Sequence, residues 1–189
     1  MFHTGQGRVH QTLRRLAECM DRAGVDYCII GAMALNAHGF ARETTDVDVL
    51  ITPEGLDQFR ERFEGRGYRP AFEGAHKTFR DVESNVQVEF VITGDYPGDG
   101  KPKPVAFPPP AQASNLIDGV RVAGLPKLIE LKLASGMTDP GRLRDLADVQ
   151  DLIRILHLPE SMADQLDPYV RGRFLELLRT IRNDAAPRE

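Results

Sequence analysis

Two aspartates one residue apart, Asp46 and Asp48, stand in the segment DVDVLI at positions 46–51. Its alternation predicts a β-strand on which both carboxylates face one way and Val47, Val49 and Ile51 the other. Carboxylates so placed lie about 6–7 Å apart at their Cα atoms. Their like charges repel, and a divalent cation reverses the sign of that interaction. Mg²⁺ takes hard oxygen ligands and keeps waters and substrate phosphates around it. In two-metal sites the ions sit about 3.5–4 Å apart and stabilise attacking and leaving oxygens. The competing reading is an acidic strand end facing solvent. A later segment, NVQVEFVITG at 85–94, alternates in the same way. Val86, Val88, Phe90 and Ile92 form one face, so Gln87 and Glu89 point the opposite way.

The elements around these residues follow from periodicity and punctuation. Val9, Leu13, Leu16, Ala17 and Met20 recur at helical spacing before Gly24, which predicts an opening amphipathic helix. Residues 26–31 (DYCIIG) read as a short buried strand, and 32–37 as a helix ending at Gly39. Thr52-Pro53 is a good N-cap and first helical residue for a helix carrying Leu56, Phe59 and Phe63. Strands are expected at 68–72, 78–82 and 86–92, the first two joined around Gly74-Ala75. Residues 97–110 hold six of the 13 prolines and predict an extended connector over the surface. Asp118-Gly119 predicts a small hairpin. Three helices then begin near Pro126, Pro140 and Pro168, the last two with Asp139 and Asp167 as caps. Alternating strands and helices followed by helices alone indicate an α/β sheet core with a helical C-terminal part. The expected division is a core at 1–96, a proline-rich connector at 97–113, and a hairpin with packed helices at 114–189.

Composition narrows the function classes. The 189 residues are 41 % hydrophobic and 28 % charged, a globular balance that excludes wholesale disorder. Lys and Arg number 24 against 28 Asp and Glu, a net charge of −4, which excludes a generally basic surface but not a local basic groove. The longest uncharged stretch, Tyr27 to Ala41, has 15 residues, short of the roughly 20 that cross a membrane. Charge precedes any apolar run at the N-terminus, so no secretory signal is expected. Cys19 and Cys28 lack metal-ligand spacing and read as reduced thiols in a cytoplasmic protein. His10, His76 and His157 form no ligand set, and there is no Walker or GxGxxG sequence.

The segment GAMALNAHGFARETTDVDVLI at 31–51 resembles the nucleotidyltransferase superfamily that includes DNA polymerase β. There a strand runs into a small-residue turn and helix, and the next strand carries DxD. The pattern is most similar to AbiEii-like and related uncharacterised bacterial nucleotidyltransferases, hG-x-R-x-T-x-D-x-D. It is carried here by His38, Gly39, Phe40, Arg42, Thr44, Asp46 and Asp48, with Ala41 as an extra residue before the arginine. The resemblance implies a nucleotidyltransferase-like mixed sheet flanked by helices. It also implies Mg²⁺ or Mn²⁺ at Asp46 and Asp48, an NTP such as ATP or GTP as substrate, and a third carboxylate from a later central strand. Glu89 is the candidate for that carboxylate, as metal ligand or as the base that activates an acceptor hydroxyl; Asp81 and Glu83 compete less well beside a turn-like ESN. A turn at Gly31 entering a helix would offer N–H groups to a triphosphate. The second Gly or Ser usual there is Ala32. Arg42 suits either carboxylate or phosphate.

A second matched region lies near the C-terminus. The family's K-x-x-A helix reads Lys132-Leu133-Ala134-Ser135, and its R-x-K-D-x-x-D helix reads Arg142 to Asp148. Lys132 sits mid-arc among Leu125, Leu128, Ile129, Leu131 and Leu133, where its ammonium either snorkels outward or answers charge on a leaving pyrophosphate. Asp145 projects to the edge of the next apolar arc and Asp148 toward the polar side; ion pairs along a solvated helix face explain the same spacing. The leading expectation is a metal-dependent transferase moving NMP to RNA (tRNA in toxin-like relatives), a protein or a small molecule. Possible partners include a cognate antitoxin or toxin, and no membrane. The alternative is a catalytically weak member acting as an antitoxin-like or scaffold binding protein.

Overall fold

A computed structural model describes residues 7–184, which fall into two compact units. One contains the chain up to Gly94 together with Phe107–Gly124; the other contains Asp95–Ala106 and the chain from Leu125. The first is a seven-stranded mixed sheet with helices. Its elements are α1 (Arg8–Ala23), β1 (Tyr27–Ile29), α2 (Gly31–Ala37), β2 (Asp46–Ile51), α3 (Pro53–Phe63), β3 (Tyr68–Pro70), β4 (Thr78–Asp81), β5 (Gln87–Ile92), the short α4 (Pro110–Ala113), β6 (Ser114–Ile117) and β7 (Val120–Ala123). The strand order is β3-β4-β5-β2-β1-β7-β6, with β2 parallel to β5, β1 parallel to β7, and the other neighbours antiparallel.

β2 is central, and its residues obey the period of two. Val47, Val49 and Ile51 are fully buried on one face, while Asp46 and Asp48 share the other with Leu50. Register carries each face across the sheet: Val47 pairs Val88, Val49 pairs Phe90, and Phe79 pairs Val88. Against this face α3 lays Phe59, whose ring lies 4.6 Å from Phe90, 5.3 Å from Phe79 and 5.2 Å from Tyr68. Such tilted and edge-on pairs are favoured by the ring quadrupole beyond the area they bury. α3 starts where the sequence places it, with Thr52 Oγ1 accepting from Gly55 N at 3.0 Å, a cap that contributes about 1 kcal/mol.

α1 is anchored through a buried carboxylate. Asp81, 4 % exposed, accepts from Thr12 Oγ1 at 2.9 Å, from Ser84 Oγ at 2.7 Å, from the Glu83 backbone N–H at 3.2 Å and from Arg15. Burial alone pushes this carboxyl upward, but the hydrogen bonds outweigh it and hold Asp81 below the usual carboxylate range. Asp81, named in the sequence reading as a competitor for the third ligand, lies on the aromatic face, pairing Tyr68 where Phe79 pairs Pro70.

The hairpin at Asp118-Gly119 forms as expected. Both residues have positive φ, 49° and 80°, as a two-residue type I′ turn requires. It joins the sheet, Ile29 of β1 pairing Val122 of β7, so it groups with the core strands instead of the C-terminal helices.

The second unit comprises α5 (Leu125–Thr138), α6 (Leu143–Leu156) and α7 (Pro168–Asp184) with residues 95–106. The predicted helix near Pro140 begins later: Asp139 caps a single 3-10 turn, Pro140–Arg142, and α6 starts at Leu143. The proline-rich stretch differs from the expected surface spacer. Gly98, at φ +76°, lies so near α5 that a Cβ would collide with Thr138 Oγ1 and sit 2.7 Å from Ser135 O. Lys103 Nζ donates to Pro97 O at 2.6 Å and Asp99 Oδ1 at 2.7 Å, folding the segment on itself. Among the described residues no helix is long and apolar enough to cross a membrane.

Because its folded pKa is lowered, Asp81 stabilises the fold fully above the ordinary carboxylate pKa near 3.9, and that contribution is lost as pH falls through the lower folded value. Asp81→Asn is expected to cost about 2–3 kcal/mol at pH 7. In paired denaturant titrations the gap to the wild type should narrow as pH falls below the ordinary carboxylate range; a gap independent of pH would contradict the anchor.

Candidate functional site

Asp46, Asp48 and Glu89 meet on the face opposite the aromatic cluster. β2 and β5 run side by side with Asp48 opposite Glu89 and Asp46 opposite Gln87. Each of the three acids offers a carboxylate oxygen, and the three oxygens lie within 4.8 Å of one another. Asp46 and Asp48 are half-buried and Glu89 is exposed. At that separation two unit charges repel by roughly 1 kcal/mol in bulk water and about 3–4 kcal/mol at an effective dielectric near 20. Three hard oxygen donors on a fixed surface with an exposed side suit Mg²⁺ or Mn²⁺, which retain waters or phosphate oxygens in the rest of their shell.

The backbone around Asp48 is built for this carboxylate. Gly31 follows β1 at φ +63°, which favours glycine. A Cβ there would overlap Asp48 Oδ2 and lie 2.8 Å from Asp48 Cγ. Ile30 N donates to Asp48 O at 3.0 Å, locking the turn to β2. Gly31 therefore serves as the floor under a carboxylate. α2 is only seven residues long and offers a weak dipole. Ala32 packs into the core at 8 % exposed, so its methyl group is spent on packing.

The loop between α2 and β2 is held by His38 of the matched pattern and by Asn36, which the sequence reading did not single out. Asn36 Nδ2 donates to Arg42 O at 3.0 Å, and Asn36 Oδ1 accepts from Arg42 N at 2.6 Å. His38 Nε2 lies 2.7 Å from Ala123 O. This bracket fixes the backbone of Arg42 and leads to Thr44, whose Oγ1 donates to Asp46 Oδ1 at 2.5 Å. Thr44 thus orients a carboxylate. The only signal for Asn36 was its side-chain amide, able to both donate and accept. Cys28 lies opposite Leu50 on β1; burial pushes its thiol up to about 12, which removes it as a nucleophile at neutral pH.

Lys132 and Asp145 come together in the second unit. Lys132 Nζ donates to Asp145 Oδ1 at 2.8 Å and to Asp148 Oδ2 at 2.7 Å, while Ser135 Oγ donates to Asp145 Oδ2 at 2.7 Å. The wheel sent Asp148 toward the polar side, yet it is 3 % exposed and Lys132 7 %. The reason is α6 itself, which packs closely on α5 at Gly136: a Cβ there would lie 2.6 Å from Leu146 Cγ. The Lys132 ammonium thus joins α5 to α6 through two carboxylate partners.

Gly31→Ala is expected to displace Asp48 and weaken Mn²⁺ binding at least about tenfold by paramagnetic resonance titration, with the fold retained by circular dichroism. Unchanged affinity would show that Asp48 is not a ligand. Lys132→Met, which strands the buried Asp148 and the half-buried Asp145, should cost about 3–5 kcal/mol in denaturant unfolding.

No protein-family model and no curated protein matches the chain. Solved structures do. An antigenic nucleotidyltransferase-like protein from Paracoccidioides brasiliensis is 19 % identical with a TM-score of 0.58, covering 94 % of this chain and 89 % of its own. A candidate nucleotidyltransferase from Thermotoga maritima is 17 % identical with a TM-score of 0.50, covering 80 % and 98 %. JHP933 from Helicobacter pylori is 16 % identical with a TM-score of 0.50, covering 93 % and 90 %. At these identities the likeness concerns architecture: the mixed seven-stranded sheet with its flanking helices is a nucleotidyltransferase-like fold.

Proposed function

We propose that the chain is a metal-dependent nucleotidyltransferase that moves a nucleoside monophosphate from an NTP to a hydroxyl acceptor and releases pyrophosphate. The observation that carries this reading is the trio of carboxylates on adjacent parallel strands, with Asp48 so close to Gly31 that a Cβ there would overlap it. Asp46 and Asp48 would hold a divalent cation, with Glu89 completing the set. When bound, that cation supplies positive charge to the triphosphate and to the oxygens that enter and leave phosphorus.

This chain's residues do the rest. Thr44 fixes the rotamer of Asp46, and Gly31 fixes the position of Asp48. Glu89, the exposed member, is the one placed to accept the proton of an acceptor hydroxyl. The hydroxyl oxygen forms a bond to the α-phosphorus, the bond to the bridging oxygen breaks, and pyrophosphate departs with that electron pair. Lys132 and Asp145 enter as the clasp between α5 and α6; any contact of Lys132 with phosphate would require it to leave Asp145 and Asp148.

The resemblance to AbiEii-like proteins supports an RNA acceptor and a cognate antitoxin, with Mg²⁺ and ATP or GTP as the nucleotide pair. A second reading, a binding protein with weak catalysis, is favoured by one observation: Ala32 gives the turn no hydroxyl with which to hold a phosphate.

Incubation with Mg²⁺, each α-labelled NTP, and total RNA or cell protein should label one acceptor class, and Asp48→Asn should reduce the rate at least about a hundredfold. Label transfer that survives Asp48→Asn, or none with any metal, would overturn the reading. A Glu89→Gln variant that keeps its Mn²⁺ affinity yet loses turnover marks a base; loss of both marks a ligand.

A further inference from the structure

The row of the sheet that contains Asp46 continues outward into two arginines. Asp46 pairs Gln87, Gln87 pairs Arg80, and Arg80 pairs Arg69. Directly opposed residues share a face, so Arg80 and Arg69 lie on the same side of the sheet as the carboxylates. At about 4.8 Å per strand, they stand roughly 10 and 14 Å from Asp46 along that row.

Arg80 and Arg69 set two guanidinium groups directly opposite each other. Like charges at directly opposed positions destabilise a strand pair. Their hydrogen-bond partners are neutral: Arg69 donates to Asn85 Oδ1 at 3.1 Å, and Arg80 to Asn85 O at 3.0 Å and Gln87 Oε1 at 3.5 Å. Among the described residues neither makes an ion pair, although acids outnumber bases in the chain. Arg15, Arg60, Arg121, Arg154 and Arg173 all do. Among the described residues neither Arg69 nor Arg80 makes an ion pair with the carboxylate trio, although Arg80 stands one strand from Glu89 and two from Asp46.

Asn85 sets the spacing of the pair. It sits at φ +60° in the turn between β4 and β5, with one guanidinium on its side chain and the other on its carbonyl. Each guanidinium has five donors, and these contacts use few of them. Arg69 is exposed and Arg80 half-buried. Planar forks with spare donors, held side by side without an acid, match the tetrahedral oxygens of phosphate.

We propose that Arg69 and Arg80, aligned by Asn85, form a phosphate-binding subsite on the carboxylate face of the sheet, receiving a phosphoryl group of a substrate. Two sources share that chemistry, the nucleotide and a phosphodiester acceptor; which substrate brings the phosphate rests on the transferase reading, whereas the subsite does not.

The experiment uses the full chain, as wild type and as R69Q/R80Q. Mn²⁺ titration by paramagnetic resonance reports the carboxylates alone and should be equal in both. Calorimetry with Mg²⁺ and a non-hydrolysable ATP or GTP forms one arm. Fluorescence binding of a short single-stranded oligoribonucleotide over a salt series forms the other, with a methylphosphonate oligomer as the uncharged control. A loss of about tenfold in the first arm assigns the subsite to the nucleotide. Loss in the second, with the salt slope reduced by about one or two and no change for the control, assigns it to the acceptor. Asn85→Gly, which tolerates the positive φ and keeps the carbonyl, should show part of the same loss. Equal affinities of wild type and R69Q/R80Q in both arms, or no binding by the wild type in either, overturns the subsite. Failure of Mn²⁺ to bind the wild type overturns the transferase reading instead.

Discussion

Mutual repulsion among Asp46, Asp48 and Glu89 is the constraint around which the sheet unit is arranged. Three carboxylate oxygens within 4.8 Å gain nothing from one another, and the rest of the fold must hold them there. It does so from behind. β2 lies in the middle of the sheet with Val47, Val49 and Ile51 fully buried, and Phe59 packs on Phe79 and Phe90 of the flanking strands. Burying three aliphatic side chains contributes roughly 5–9 kcal/mol before entropy is counted, against about 3–4 kcal/mol per close charge pair at an effective dielectric near 20. The strands cannot slip to separate the acids, since a one-residue shift would turn every valine outward.

The chain treats its other grouped charges differently. Asp81 is surrounded by donors from Thr12, Ser84, Arg15 and the Glu83 backbone. Asp145 and Asp148 share Lys132 and a serine hydroxyl. Those two clusters are resolved internally, as folding demands of buried charge. The trio on β2 and β5 has no arginine or lysine hydrogen-bonded to Asp46 or Glu89 among the described contacts, only the hydroxyl of Thr44 on Asp46. Asp46 and Glu89 thus lack the cationic partner that Asp81 and Asp145 have, which suits a ligand of opposite charge. That contrast favours a site over a decorative strand end.

Much of this was legible from local rules. The period of two in DVDVLI and in NVQVEFVITG put Asp46, Asp48 and Glu89 on polar faces, and Thr52-Pro53 and Asp118-Gly119 marked a cap and a turn by their own chemistry. What stayed hidden was set by neighbours distant in the chain. The wheel of α6 could not place Asp148 inside, because only the approach of α5 at Gly136 decides which polar edge is covered. The hairpin's partner is β1, some 90 residues earlier, and no turn residue encodes that. Prolines exclude a helix at 97–110, yet they do not say whether an extended chain runs free or folds against α5, as Gly98 does. Gly31 read as a phosphate turn, and its closeness to Asp48 on the next strand was not legible from the turn itself.

That closeness gives the strand-to-helix turn a steric part in the site. With α2 two turns long and Ala32 facing the core, the turn's contribution is steric: it leaves room for Asp48 and pins the backbone beside it. In the proposed transferase reading, phosphate charge would be met on the same face by a cation among the carboxylates and by side chains further along the row. The sheet supplies such side chains in register, running from Asp46 through Gln87 to Arg80 and Arg69. Acid lies at the centre of the sheet and base toward the β3 edge, with a neutral glutamine between Asp46 and Arg80 along the row. A substrate long enough to span them, with a metal-binding end and an anionic continuation, fits that segregation, whereas a compact cationic acceptor would be repelled by its outer half.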